Sequence, residues 1–183
     1  MALPQTLPNA YTDSAAPSAA LPPFFAVSLR KFALLSVCTL GLYHLYWFYR
    51  HWQHVRAWSS DQAFSPARRT LLFFLYGFVL FARVRALDLQ ANGRSGLRPV
   101  LLGLGYIAAN AFDLLPAPFW LLSLFGFVFL LPVQSCANRL NEQLCATPFE
   151  RNARLTGWDW PVVLLGIVLV IFSVVAAIDE MGA

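Results

Sequence analysis

The sequence predicts an all-α, polytopic transmembrane bundle of four to five apolar helices. Three observations predict it. Hydrophobic residues make up 58% of the chain and charged residues 12%, about half the charged share of a soluble domain. The mean hydropathy is +0.59. The basic residues, almost all arginine, gather between apolar segments, as residues that set topology or meet anionic headgroups do. They form no continuous stripe of the kind nucleic acid requires, so no nucleic-acid partner is expected.

Residues 1–23 carry no Lys or Arg and no continuous apolar run, so they do not read as a secretory signal. Their Pro, Ala and Ser content predicts a disordered tail ending at Pro22-Pro23. Residues 24–183 then form a single membrane-embedded domain. Its first segment, Phe32 to Tyr49, is long enough to span, although Thr39-Leu40-Gly41 interrupts it. It ends in Tyr43, Tyr46, Trp47, Phe48, Tyr49 and Trp52, read as an interfacial aromatic belt. The second segment, Thr70 to Ala82, has only thirteen uninterrupted apolar residues, about 20 Å of helix. It must be tilted into a thinned bilayer, re-entrant, or buried against the other helices.

Residues 97–135 read as a helical hairpin. Its arms are Val100 to Leu115 and Phe119 to Gln134, joined by Pro116-Ala117-Pro118, because proline fixes φ and disfavours helix before it. Pro132 is expected to kink the second arm. The last segment, residues 161–178, has no charge and reaches about 27 Å, close to the hydrocarbon thickness. Trp158 and Trp160 mark its interface and Pro161 its first turn. A lone strand cannot satisfy its backbone in lipid, so this β-branched run is helical.

Counting basic residues against the positive-inside rule leaves three arrangements. Five crossings put nine of the thirteen basic residues inside. Four crossings, with the second segment dipping, put eleven inside and leave Arg30 and Lys31 outside. Making both of the first two segments re-entrant puts all thirteen inside. The count leans toward four crossings. Every arrangement places the loop 136–160 in the cytoplasm and the C-terminus outside.

Candidate chemistry is sparse. His44, His51 and His54 share one face of a continuous helix. His44 and His51 are about 10.5 Å apart along the axis, too far for one metal. Hydrogen bonding is the expected role, and neither metal nor cofactor is expected. Gly103, Tyr106, Asn110 and Asp113 follow 3–4–3 spacing and form one stripe. An ionisable group in an apolar stretch faces protein or a water-filled cavity, or Asp113 caps the turn before Pro116. Gln134, Asn138 and Asn141 form a second stripe, read first as a helix emerging into water and second as a place where Asn138 and Arg139 bind lipid or a partner; Arg139 and Glu142 can pair at i, i+3. Cys38, Cys136 and Cys145 form no CxxC pair and read as free structural thiols. No hydrolase elbow, Walker loop or HExxH occurs.

The run 24–52, FFAVSLRKFALLSVCTLGLYHLYWFYRHW, resembles the opening signature of the domain of unknown function 4234 family, and LPVQSCANRLN resembles a later segment of some members. The resemblance implies a bacterial inner-membrane location and no particular activity. The leading functional expectation is therefore a structural, accessory or regulatory protein whose partners are the lipid bilayer and another protein or a second copy of the chain. A small transporter or channel using Asn110 and Asp113 stands second, and an intramembrane enzyme third.

Overall fold

The computed structural model describes residues 22–59, 63–116, 118–145, 152–157 and 159–182, with side chains through Asp179. The tail before Pro22, Ala117 of the expected turn, and residues 146–151 of the expected cytoplasmic loop lie outside the described residues. All regular structure among the described residues is helical: α1 Leu29–Cys38, α2 Tyr43–Trp58, α3 Pro66–Leu71, α4 Phe73–Asn92, α5 Pro99–Ala111, α6 Leu131–Leu144 and α7 Asp159–Gly182. Two 3-10 helices, Phe112–Leu114 and Phe119–Phe129, complete it.

The first apolar segment is two helices, not one. The Ser28 hydroxyl caps α1 by accepting the Lys31 N–H at 3.3 Å. The helix ends where Leu40 (φ 50°) and Gly41 (φ 85°) turn left-handed, and the Gly41 N–H donates to the Ser36 carbonyl at 2.9 Å. A left-handed residue with a bond back to the last turn is a common way to stop a helix. The Thr39 hydroxyl donates to the Leu35 carbonyl and accepts from the Tyr43 N–H, both at 2.8 Å, stitching α1 to α2. The chain then folds back. Phe25 packs against Tyr46, His51 and His54, while Phe32 packs against Tyr43, His44 and Trp47.

This fold-back overturns the aromatic-belt reading. Trp47, Phe48 and Trp52 are fully buried and belong to the core that joins α2 to α4, α5 and α6. Tyr46 and Tyr49 face outward. The local sequence reads the same either way, because an interfacial belt and a packed core both want rings at helical spacing.

The short second segment is also revised. Leu72 breaks it, and α4 then runs twenty residues from Phe73 to Asn92. Its buried positions are Gly77, Leu80, Phe81, Val84 and Asp88, a stripe at helical spacing. Arg69 of α3 lies over the rings of Phe64, Trp52 and Tyr76, at 3.7, 4.6 and 5.4 Å from their centroids, a cation–π arrangement.

The hairpin appears as expected. α5 starts with Pro99 in its first turn, and the chain turns between Leu115 and Phe119. Pro132 marks a change of helix type, from the 3-10 helix Phe119–Phe129 to α6. Two helices are long and apolar enough to cross a bilayer, Phe119–Leu144 and Asp159–Asp179, and Pro99–Leu114 is a shorter apolar helix. α7 packs mainly on α1. A Cβ at Gly166 would sit 2.0 Å from the Cys38 carbonyl oxygen, so this contact needs glycine.

At the start of α1, the Lys31 ammonium meets the Asp159 carboxylate at 2.6 Å and the Asn152 Oδ1 and Arg154 carbonyl at 3.0 Å. Lys31 is buried, at 5% exposure. The pair sets the start of α1 and the start of α7 at one end of the molecule.

Candidate functional site: an amide clasp on α6

The stripe Gln134, Asn138 and Asn141 does not emerge into water. Exposure is 0%, 5% and 0% respectively, which corrects that expectation. Spacing of four and three puts the three amides on one face of α6, and that face meets the non-helical strand of chain 24–27. The Asn141 amide accepts the Phe24 N–H at 3.1 Å and donates to the Phe24 carbonyl at 2.8 Å. Gln134 Nε2 donates to the Phe25 carbonyl at 3.1 Å, and Asn138 Nδ2 to the Val27 carbonyl at 2.9 Å. Buried backbone groups outside helices must find partners, and here side-chain amides supply them.

Gln134 also ties α6 to α2. Its Oε1 accepts the Trp47 indole N–H at 2.6 Å and lies 3.1 Å from His51 Nε2, while its Nε2 also donates to Asn138 Oδ1 at 2.8 Å. The amide thus uses two donors and two acceptor positions. Since Gln134 Oε1 only accepts, His51 Nε2 carries the proton. His51 Nδ1 and Trp52 Nε1 are buried without a hydrogen-bond partner among the described residues.

The i, i+3 pair expected between Arg139 and Glu142 gives way to a longer-range one. Arg139 Nη2 donates to Asp88 Oδ1 at 2.8 Å and approaches Cys136 Sγ at 3.6 Å. Asn92 Nδ2 donates to the same Asp88 oxygen at 2.9 Å. The Asp88 side chain is 1% exposed and that of Arg139 55%. Burial pushes the Asp88 carboxyl up, but the neighbouring Ser95 hydroxyl and the hydrogen bonds from Arg139 and Asn92 outweigh it and hold it below the usual carboxylate range.

The remaining candidates separate along α5. Tyr106 is buried, with its hydroxyl 3.1 Å from His44 Nδ1. Asn110 is half-buried and donates to the Tyr106 carbonyl at 2.7 Å, on its own helix. Asp113 is exposed, at the rim, and accepts a hydrogen bond from the Ser123 hydroxyl across the hairpin. The stripe therefore faces protein at Gly103 and Tyr106 and leaves it at Asp113.

The three histidines serve three different partners, since His54 Nδ1 lies 3.0 Å from the Pro22 carbonyl. No group of three metal-ligating side chains converges among the described residues. Cys38, Cys136 and Cys145 are free thiols.

Sequence reasoning passed over Asp88, placed Trp47 in an interfacial belt, and missed the role of Gln134 and Asn141. Asp88 had a signal: it continues the apolar stripe of Leu80, Phe81 and Val84, where a lone acid demands a partner. The clasp had a weaker one, three amides in register with Val133, Ala137 and Leu140, which are themselves fully buried.

Fold and site together define a small helical protein with two helices of membrane-crossing length, whose interior polar groups dock its own backbone. The chain belongs to the family described as Domain of unknown function (DUF4234), whose model matches residues 27–179. That match takes in the whole of the later run and the first run from Val27 onward. No curated protein and no solved structure matches the chain.

Proposed function

We propose that this chain is a multi-pass protein of the bacterial inner membrane with a structural or accessory role, acting by association within the bilayer. The observation that carries the reading is α7. Its Leu164, Leu165, Val168, Ile171 and Phe172 are each about 60% exposed or more, and water does not tolerate a continuous apolar face of that length. Lipid or a partner helix covers it. The clasp supports the accessory role, because Gln134, Asn138 and Asn141 hydrogen-bond the protein's own chain. Transport through Asp113 draws no support from its place at the hairpin rim.

The contacts favour a three-crossing topology. Lys31 meets Asp159, Phe25 packs against His51 and Asp88 meets Arg139, three contacts that a re-entrant α1–α2 unit with all thirteen basic residues inside accommodates together. α5, the helix 119–144 and α7 then cross, and the C-terminus lies outside. Alkaline phosphatase fused after Ala183 should be active in a Gram-negative host, and a green fluorescent protein fusion there should be dark. Single cysteines at Ser59 and Ser95, with the native cysteines replaced, should both be shielded from an impermeant thiol reagent in intact cells. A fluorescent C-terminal fusion, or labelling at Ser59 alone, would overturn this topology.

A further inference from the structure

We infer that the elbow between α4 and α5 is a docking surface for the headgroups of anionic phospholipids. Arg83, Arg85, Arg94 and Arg98 cluster in sequence around it, and Arg85, Arg94 and Arg98 are exposed. None of the four has an ion-pair partner among the described residues. The single acid of this stretch, Asp88, is turned inward onto Arg139 and Asn92, so it leaves the outward arginines unneutralised. Arg139 adds a guanidinium that Asp88 orients but leaves 55% exposed, and Glu142 stands one turn further along α6.

The elbow is anchored and open. Leu97 is buried, at 7% exposure, and pins the loop between Arg94 and Arg98. A side chain added at Gly93 or Gly96 would meet nothing within 4 Å, so space is free beside the arginines. Immediately after Arg98, α5 presents Val100, Leu101 and Leu104 at 65%, 58% and 56% exposure. A phosphate-binding edge continuous with an apolar helix face matches a phospholipid, which carries an anionic head on acyl chains. A nucleic acid would leave those leucines unmatched.

The inference rests on the membrane reading above, and the experiment separates the two. The full chain is expressed, and its recovery only from detergent-extracted membranes tests that reading. Native mass spectrometry of the purified protein then titrates phosphatidylglycerol against phosphatidylcholine. Wild type should retain phosphatidylglycerol preferentially. The double substitution Arg94→Gln/Arg98→Gln should weaken that binding by on the order of thirtyfold, from the typical contribution of two juxtamembrane arginines. A charge-matched control, Arg30→Gln/Arg68→Gln, should bind as wild type does, and all three proteins should show the same melting temperature without added lipid. Equal loss in control and elbow variants would reduce the effect to net charge and overturn the site. Unchanged phosphatidylglycerol binding in the elbow variant would overturn it outright.

Discussion

Asn141 holds both main-chain polar groups of Phe24, 117 positions away, through the two ends of one side-chain amide. The contact imitates a ladder pairing, with a helix-borne amide in place of the second strand. Gln134 and Asn138 make half of the same contact, each donating to one carbonyl, at Phe25 and Val27. The stretch before α1 is thereby fixed against α6, and its phenylalanines are fixed against α2. The clasp is thus the point where the N-terminal hairpin and the C-terminal helices become one structure.

Gln134→Leu should be the most damaging substitution in the clasp. It orphans the Trp47 indole, the His51 Nε2–H, the Phe25 carbonyl and Asn138 Oδ1, all buried, at about 1 kcal/mol for each group left unsatisfied, the low end of the usual range. A total loss of about 3–5 kcal/mol in detergent is expected, measured by thermal or denaturant unfolding. Gln143→Leu, on the exposed face and bonded to Asn92 alone among the described residues, should change stability by less than about 0.5 kcal/mol. Similar effects at the two positions would show that the clasp does not hold the fold.

The Lys31–Asp159 pair should show strong coupling in a double-mutant cycle. Lys31→Met leaves a partly buried carboxylate held only by the Thr156 N–H and hydroxyl, and Asp159→Leu leaves a buried ammonium. Breaking a fully buried pair costs about 3–5 kcal/mol. The 21% exposure of the Asp159 side chain lowers the expected coupling to about 2 kcal/mol. Additive losses would mean that other contacts seat α7.

Gly166→Ala tests the α1–α7 contact directly. The new Cβ would meet the backbone of Cys38, which cannot rotate away, so α7 must shift. The expected cost is about 2 kcal/mol, after the gain of up to about 1 kcal/mol that alanine brings to a helix interior. Gly157→Ala, where nothing lies within 4 Å of the added carbon, should not destabilise. A stabilised Gly166→Ala protein would show that α7 does not approach α1 this closely.

Asp88 predicts a pH signature. Its folded-state pKa lies below the usual value of 3.8, so its contribution is present above that value and is lost as pH falls through the lower, folded pKa. The stability difference between wild type and Asp88→Asn should be constant from pH 7 to about 5 and shrink toward zero below about pH 4. A difference that stays flat into that range would mean that Asp88 titrates normally in the fold.

Asp113→Asn should leave stability within about 0.5 kcal/mol of wild type, because Asn caps and accepts from Ser123 about as well as Asp. Tyr106→Phe, which removes the buried partner of His44, should cost about 1 kcal/mol. A larger effect at Asp113 than at Tyr106 would reverse that ranking.

The helical class, the hairpin about Pro116 and Pro118, an irregularity at Pro132 (expected as a kink, found as a change of helix type) and the long apolar α7 were legible in the sequence. Each is a local property: φ at proline, charge-free length, or spacing of 3.6 residues. The break at Thr39-Leu40-Gly41 was also visible, but not that the chain reverses there. What tertiary structure decided was which polar stripe is buried and what it meets. Gln134, Asn138 and Asn141 have the same spacing whether they face water or the backbone of Phe24–Val27. A side-chain amide satisfies either, and the partner lies more than a hundred residues away. The choice between Glu142 and Asp88 for Arg139 is of the same kind, since both are single acids within reach of a long guanidinium. Only the packing of α4 beside α6, driven by Leu80, Phe81 and Val84, brings Asp88 there and takes it out of water.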